Sequence, residues 1–137
     1  MADGLTIYQD AKERLQAIDG SEFSTFMGMR TLKVSEQEVQ VEMDLDGKRN
    51  SVGTGHGGAI FSLADQAFAL ACNMGELTQV ARSASIKYIR PARGRLVATA
   101  TKQSEDERGS VYRVEVHEGG TLVAVFEGVG HKLKVKK

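Results

Sequence analysis

One short string in this chain carries residue types at a spacing that could do chemistry. Asn50-Ser51-Val52-Gly53-Thr54-Gly55-His56-Gly57-Gly58 runs straight into a long apolar segment whose one acid is Asp65. Small residues ahead of a helix leave its first N–H groups unpaired and reachable, and the helix dipole adds positive potential there. Such a turn can hold an oxyanion or polarise a carbonyl. A carboxylate inside an apolar helix is costly unless something uses it. Together they fit acyl transfer or hydrolysis. The backbone N–H of Gly57 or Gly58 would polarise a carbonyl, and glycine there keeps a Cβ out of the approach path. Asp65 would activate water as a base or attack as a nucleophile, and the residues leave both roles open.

Asp65 follows Gly58 by seven positions, which on a straight helix is on the order of 10 Å along the axis. One chain cannot bring its own turn and its own acid to the same ester. Two such helices packed antiparallel about a two-fold axis can, so the spacing predicts at least a homodimer with two composite sites. Asn50, an amide that both donates and accepts, could orient the water or bind the Asp65 carboxylate. His56 could donate to the carbonyl or brace its loop. Ser83 and Ser85 share one face of a strand and could reach the pocket. Gln66, beside Asp65, could line it or pair across the dimer.

The elements that must position these groups follow from hydrophobic period. Residues 6–18 have apolar groups at helical spacing (Ile7, Ala11, Leu15, Ile18), and Gly20 and Ser21 end that helix. Phe23, Phe26, Met27 and Met29 read as a loose apolar stretch. Val39, Val41, Met43 and Leu45 alternate with polar residues, and Ser35-Glu36-Gln37-Glu38 reads as the turn from a preceding strand that begins near Arg30. Residues 59–74 read as a helix apolar nearly all round, hence buried, with Gly75 as its cap and its few polar residues on one stripe. Four strands follow, at 80–89, 96–101, 111–116 and 121–129. Arg90-Pro91 stops the first, and Gly119-Gly120 turns the last pair. This order predicts an α+β domain, an antiparallel sheet wrapped around one long helix.

Bulk properties narrow the field. At 137 residues the chain is expected to be one domain, residues 1–137. It has 18 Lys+Arg against 18 Asp+Glu, so no generic basic surface for nucleic acid is expected. Local charge is uneven: the stretch from Arg82 to Arg95 and the end from His131 to Lys137 are basic and could meet a phosphorylated ligand. Cys72, the only cysteine, reads as a buried filler in the central helix. The apolar stretch of that helix is too short and interrupted to span a bilayer, and no charged-then-apolar leader is seen, so a cytoplasmic protein without membrane contact is expected.

Asn50, His56-Gly57-Gly58, Phe61-Ser62-Leu63-Ala64-Asp65, Ala67-Phe68-Ala69 and Ala71-Cys72-Asn73 closely resemble the PaaI-type hotdog-fold acyl-CoA thioesterases. Ile86-Lys87-Tyr88-Ile89-Arg90-Pro91-Ala92 and Phe126-Glu127-Gly128-Val129-Gly130-His131 are further echoes, so the resemblance covers essentially the whole chain. It implies a hotdog fold, six antiparallel strands curled around one long helix. It implies a homodimer, often a homotetramer, with sites at subunit boundaries. It implies hydrolysis of a coenzyme A thioester, commonly phenylacetyl or hydroxyphenylacetyl, with no metal and no cofactor beyond the coenzyme A of the substrate. Under it, Arg90, Pro91, Arg93, Arg108, His131 and Lys132 become candidates for binding coenzyme A, its phosphates being the targets of the basic residues.

Competing readings differ in their residues. Gly53-Thr54-Gly55-His56-Gly57-Gly58 fits G-x-G-x-x-G literally, but the preceding stretch is polar and no acid ends the next strand, as a dinucleotide site requires. Three histidines and one cysteine have no metal-ligand spacing, and no G-x-S-x-G elbow is present. A hotdog hydratase or dehydratase would use a His and an acid on a hydroxyacyl thioester. The short spacing from His56 to Asp65 and the paired glycines oppose it. A non-catalytic acyl-CoA-binding domain would keep the basic residues but have no use for Asp65.

Overall fold

The computed structural model describes residues 5–134. In chain order it contains α1 (Ala11–Asp19), α2 (Glu22–Met27), β1 (Arg30–Val34), β2 (Val39–Asp44), α3 (Gly57–Cys72), β3 (Gln79–Tyr88), β4 (Arg95–Glu105), β5 (Gly109–Glu118) and β6 (Thr121–Lys132). The strands form one antiparallel sheet in the order β1-β2-β4-β5-β6-β3, and α3 packs across one of its faces. This is the hotdog architecture that the resemblance implied. The crossover that sends β3 to the far edge, beside β6, is what α3 spans.

Period-two alternation decides which side chains meet the helix. Val39, Val41, Met43, Leu96, Ala98, Ala100, Val114, Val116 and Phe126 are buried, and α3 answers with Leu63, Ala64, Ala67, Phe68 and Ala71. The many alanines let helix and sheet approach closely. Gly128 completes the seat for Phe68: a Cβ there would lie 2.7 Å from the Phe68 ring. Phe68 meets Tyr112 edge to face and Phe126 at a tilt, with centroids 6.0 and 5.9 Å away, and full burial of such a ring is worth about 2–3 kcal/mol. On the opposite face, buried Glu42 is held by Arg30 and Arg95 from the strands on either side. Burial pushes its pKa up, the two guanidiniums pull it down, and the net shift is downward.

The elements depart from expectation at their ends. α1 starts at Ala11, where Asp10 caps it by accepting from the Lys12 N–H. The stretch read as loose is a short helix, α2, capped by Ser21 and closed by Gly28 at φ 69°. α3 begins two residues earlier than expected, so Gly57 and Gly58 are its first turn rather than a loop ahead of it. Its cap is Asn73, not Gly75. The Asn73 amide bonds Ala69 and Gln79 carbonyls and accepts from the Gln79 N–H at 2.8 Å, tying the helix end to the start of β3. Nor is α3 buried all round. Phe61, Ser62, Asp65, Gln66 and Ala69 form a half-exposed stripe.

The C-terminal end of α3 carries partial negative charge on unpaired carbonyls. Buried Arg14 of α1 covers it. Its guanidinium donates to the carbonyls of Asn73 (2.9 Å), Gly75 (2.8 Å) and Glu76 (3.1 Å), and to those of Tyr8 (3.1 Å) and Gln9 (3.2 Å). Burial lowers its pKa while Asp10 raises it. Arg14→Met should lower the unfolding free energy in urea by about 3 kcal/mol, because it strips charged donors from buried carbonyls. Arg14→Lys should recover only part, since an ammonium with three protons cannot serve five carbonyls. Equal urea midpoints for wild type and Arg14→Met would contradict this role.

Candidate active site

Two loops interlace to fix where α3 begins. The 45–56 loop hydrogen-bonds the 89–94 loop through Leu45 N–H to the Gly94 carbonyl (2.9 Å) and Gly55 N–H to the Ala92 carbonyl (2.7 Å). Arg49 donates to the Arg93 carbonyl, and the Arg93 guanidinium donates to the Gly53 carbonyl. Asn50 closes its own loop: Oδ1 accepts from the N–H groups of Val52 and Thr54 at 3.1 Å, and Nδ2 donates to Thr54 Oγ1. Its side chain braces the turn, and within this chain it makes no bond to Asp65.

At the helix start, His56 is the N-cap. Its Nδ1 accepts from the Gly58 N–H at 2.9 Å, so of the two readings for this side chain the observed bond is the bracing one. That bond also removes the Gly58 N–H as a donor to substrate. The Gly57 N–H, in contrast, makes no hydrogen bond among the described residues. Tyr88 of β3, not singled out from sequence, donates its hydroxyl to the Gly57 carbonyl at 3.0 Å. Ser62 donates to the Gly58 carbonyl at 2.7 Å. A Cβ on Gly57 would sit 3.2 Å from the Tyr88 oxygen. These bonds tie down the first turn and leave the Gly57 N–H without a partner among the described residues.

Asp65 lies two turns further along α3, half-buried, beside Phe68, Ala69 and Ala81 on the wall of a cleft. Burial raises its pKa, and burial is the only cause: no hydrogen bond or ion pair to its carboxylate occurs among the described residues. An acid tied to a neighbouring Asn or Ser is therefore not what this chain contains. Gln66 donates to the Ile18 carbonyl at 2.9 Å, fastening α1 to α3. Ser83 and Ser85 pair with Val129 and Glu127, whereas Ile86 pairs with Phe126 on the helix face. The strand's alternation thus puts the two serines on the face away from Asp65, and this chain does not bring them to it.

The basic candidates divide between two ends of the sheet. Arg90, Pro91 and Arg93 follow Tyr88 at the end near Gly57. Arg108, His131 and Lys132 lie at the other end, where Gln79 pairs with Lys132, along a groove that also includes Lys134. Lys132 is already engaged, with Glu105 at 2.8 Å and the Asp106 carbonyl at 2.7 Å. The last residues of the basic tail, 135–137, lie outside the described residues. Cys72 is buried, and burial pushes its thiol up to about 12, which suits a filler and not a nucleophile. Among the described residues no group of His, Cys, Asp and Glu could hold a metal ion, and no helix is long and apolar enough to cross a membrane.

The six-stranded antiparallel sheet crossed by one long helix defines the hotdog class. Comparison with known proteins gives the family. Residues 23–125 match the family described as Domain of unknown function (DUF4442). The acyl-coenzyme A thioesterase PaaI of Escherichia coli is 42% identical over 81 residues, which span 57% of this chain and 58% of that protein. A putative esterase of Deinococcus radiodurans is 37% identical over 111 residues, 77% of this chain and 75% of that protein. The structure of a variant of phenylacetic acid degradation protein PaaI from Thermus thermophilus superposes with a TM-score of 0.77 at 36% identity, covering 81% of this chain and 98% of that one. The chain belongs to the PaaI-type hotdog thioesterase family.

The raised pKa of Asp65 has a consequence for stability. The folded state binds the carboxyl proton more tightly than the unfolded state, so stability falls as pH rises from the unfolded value through the raised one. At neutral pH the ionised carboxylate is a net cost. Asp65→Asn should therefore melt higher than wild type at pH 7 in scanning calorimetry, with the difference closing near pH 3. A lower melting temperature at pH 7 would mean that the carboxylate has a stabilising partner.

Proposed function

We propose that this protein hydrolyses acyl-CoA thioesters in the cytoplasm, with no metal or added cofactor, at composite sites of a homodimer. The observation that carries the reading is that, among the described residues, the half-buried carboxylate of Asp65 and the N–H of Gly57, on one helix, both lack a partner. Asp65 takes a proton from water as the water oxygen bonds to the thioester carbon. The Gly57 N–H and the helix dipole stabilise the negative carbonyl oxygen. The C–S bond then breaks, and the proton passes from Asp65 to the departing thiolate. A desolvated carboxylate with a raised pKa is a better base than a solvated one.

Asp65 lies eight residues beyond Gly57, about 12 Å along the helix, so the two groups that act on one ester come from different chains. β3 supports this arrangement. It is one of the two edges of the sheet, the other being β1, and every residue of it except Gln79 and Ile86 is exposed. An open edge of this length invites pairing. Antiparallel pairing of two β3 strands about a two-fold axis would set the Tyr88 end of one chain, with Gly57, beside the Gln79–Ala81 end of its twin, with Asp65. The same operation would set Arg90 and Arg93 of one chain near Arg108, His131 and Lys134 of the other, a combined basic surface for coenzyme A phosphates. The non-catalytic acyl-CoA-binding reading leaves Asp65 without a purpose and is disfavoured.

A thiol-release screen over a panel of acyl-CoA esters tests the activity directly. Asp65→Asn should lower kcat by about 10²–10⁴-fold. Gly57→Pro should lower it about 10²–10³-fold, because proline removes that N–H yet fits a first helical position. Equimolar mixing of the two variants through a denaturing and refolding step should restore about a quarter of wild-type sites, since half the dimers are mixed and each has one intact site. Two folded variants that never complement would refute shared sites, and undiminished turnover in Asp65→Asn would refute the mechanism.

A further inference from the structure

One side chain reaches the first turn of α3 from the sheet, and the reaction described above gives it no part. Tyr88 is the last residue of β3. Its backbone is fixed: it pairs with Ala124 of β6, and the N–H groups of Ile89 and Arg90 donate to the Val123 carbonyl at 2.7 and 3.2 Å. Tyr88 is 53% exposed, so its ring adds little to the core. Its hydroxyl donates to the Gly57 carbonyl at 3.0 Å, and among the described residues no other side chain of the sheet bonds that turn. The contact gives glycine at 57 a second reason. A Cβ there would lie 3.2 Å from the Tyr88 oxygen and 3.3 Å from Cζ, closer than side chains ordinarily pack. Gly57 and Gly58 are the least constrained backbone of the helix. The peptide between them is held on both sides, its carbonyl by Tyr88 and its N–H by His56. The peptide before it is held through the His56 carbonyl, which accepts from Ala59 and Ile60. The Gly57 Cα joins these two peptide planes, so fixing both fixes where the Gly57 N–H points.

We propose that Tyr88 is a positioning residue for thioester hydrolysis: by bonding the Gly57 carbonyl, it holds the Gly57 N–H at the angle from which that donor meets the developing oxyanion. The assignment rests on the hydrolase reading above and adds a residue that acts through the Gly57 backbone and not on the ester itself. A donor that must reorganise as charge develops loses much of its gain, and misplacement by about 1 Å can lower a rate by about 100-fold. Binding of the uncharged ground-state ester depends on that donor far less, so the loss falls on kcat and spares KM.

Tyr88→Phe keeps the ring and removes the donor. On the best ester of the thiol-release panel it should lower kcat by about tenfold to 100-fold and leave KM within about twofold. Circular dichroism establishes that each variant is folded. The decisive comparison repeats the change in Gly57→Pro, which has no N–H to aim. There Tyr88→Phe should alter kcat by less than about twofold, because two changes that act through one group do not add. An equal fall in both backgrounds would overturn the assignment, since the hydroxyl would then act by a route other than that N–H. Undiminished kcat in Tyr88→Phe would overturn it as well. If the wild type releases thiol from no ester, the hydrolase reading fails, and backbone nitrogen relaxation judges the positioning by itself. The Gly57 and Gly58 N–H order parameters should then fall from about 0.85 in the wild type to below about 0.6 in Tyr88→Phe. Equal values in the two proteins would show that Tyr88 does not hold the turn.

Discussion

A half-buried carboxylate, Asp65, with no hydrogen-bond partner among the described residues, sits midway along α3. Burial of that kind is unfavourable for folding, and it raises the proton affinity of the carboxylate, which suits the role of base proposed for it. Asp65 can persist there because the rest of α3 is supported so thoroughly. Alanines and Phe68 pack the helix into the sheet, Gly128 seats the ring, and Arg14 with Asn73 secures the far end. The core offsets the local cost of one uncompensated group.

The opposite end of the same helix is organised by hydrogen bonds instead of packing. Asn50 shapes the loop, Arg49 and Arg93 cross-link it to the segment after β3, His56 caps the helix, and Tyr88 and Ser62 hold the first two carbonyls. His56 takes the Gly58 N–H, while the Gly57 N–H has no partner among the described residues. Rigid placement matters because a donor gains most when no reorganisation is needed as charge develops on the substrate.

Much of this was readable from residue types. Strict alternation from Val39 to Leu45 marked a strand, the alanine-rich run marked the central helix, and the paired glycines and Asp65 marked the two poles of the site. What escaped was set by contacts distant in sequence. Arg14 looks like any charge on an amphipathic helix, and only docking on α3 makes it a buried clamp. α2 is six residues long, too short for period to reveal. Gly75 resembles a cap, but Asn73 has the bonds to β3 that decide the matter. Ser83 and Ser85 share a face, as their spacing required, yet the face they share is set by the register of β3 on β6.

The sequence alone determined the chemical types and their separation along one helix, because helical rise converts residue number into distance without reference to anything else. It therefore also determined that the turn and the acid of one chain stand too far apart to share an ester. Tertiary structure decided which of the candidate groups remain open to a substrate. A side chain is available only if no neighbour has already bonded it, and those neighbours come from other elements: Ile18 for Gln66, Gly53 for Arg93, Glu105 for Lys132. Among the described residues Asp65 has no such neighbour, and that is a consequence of how the elements pack, which residue types alone do not reveal.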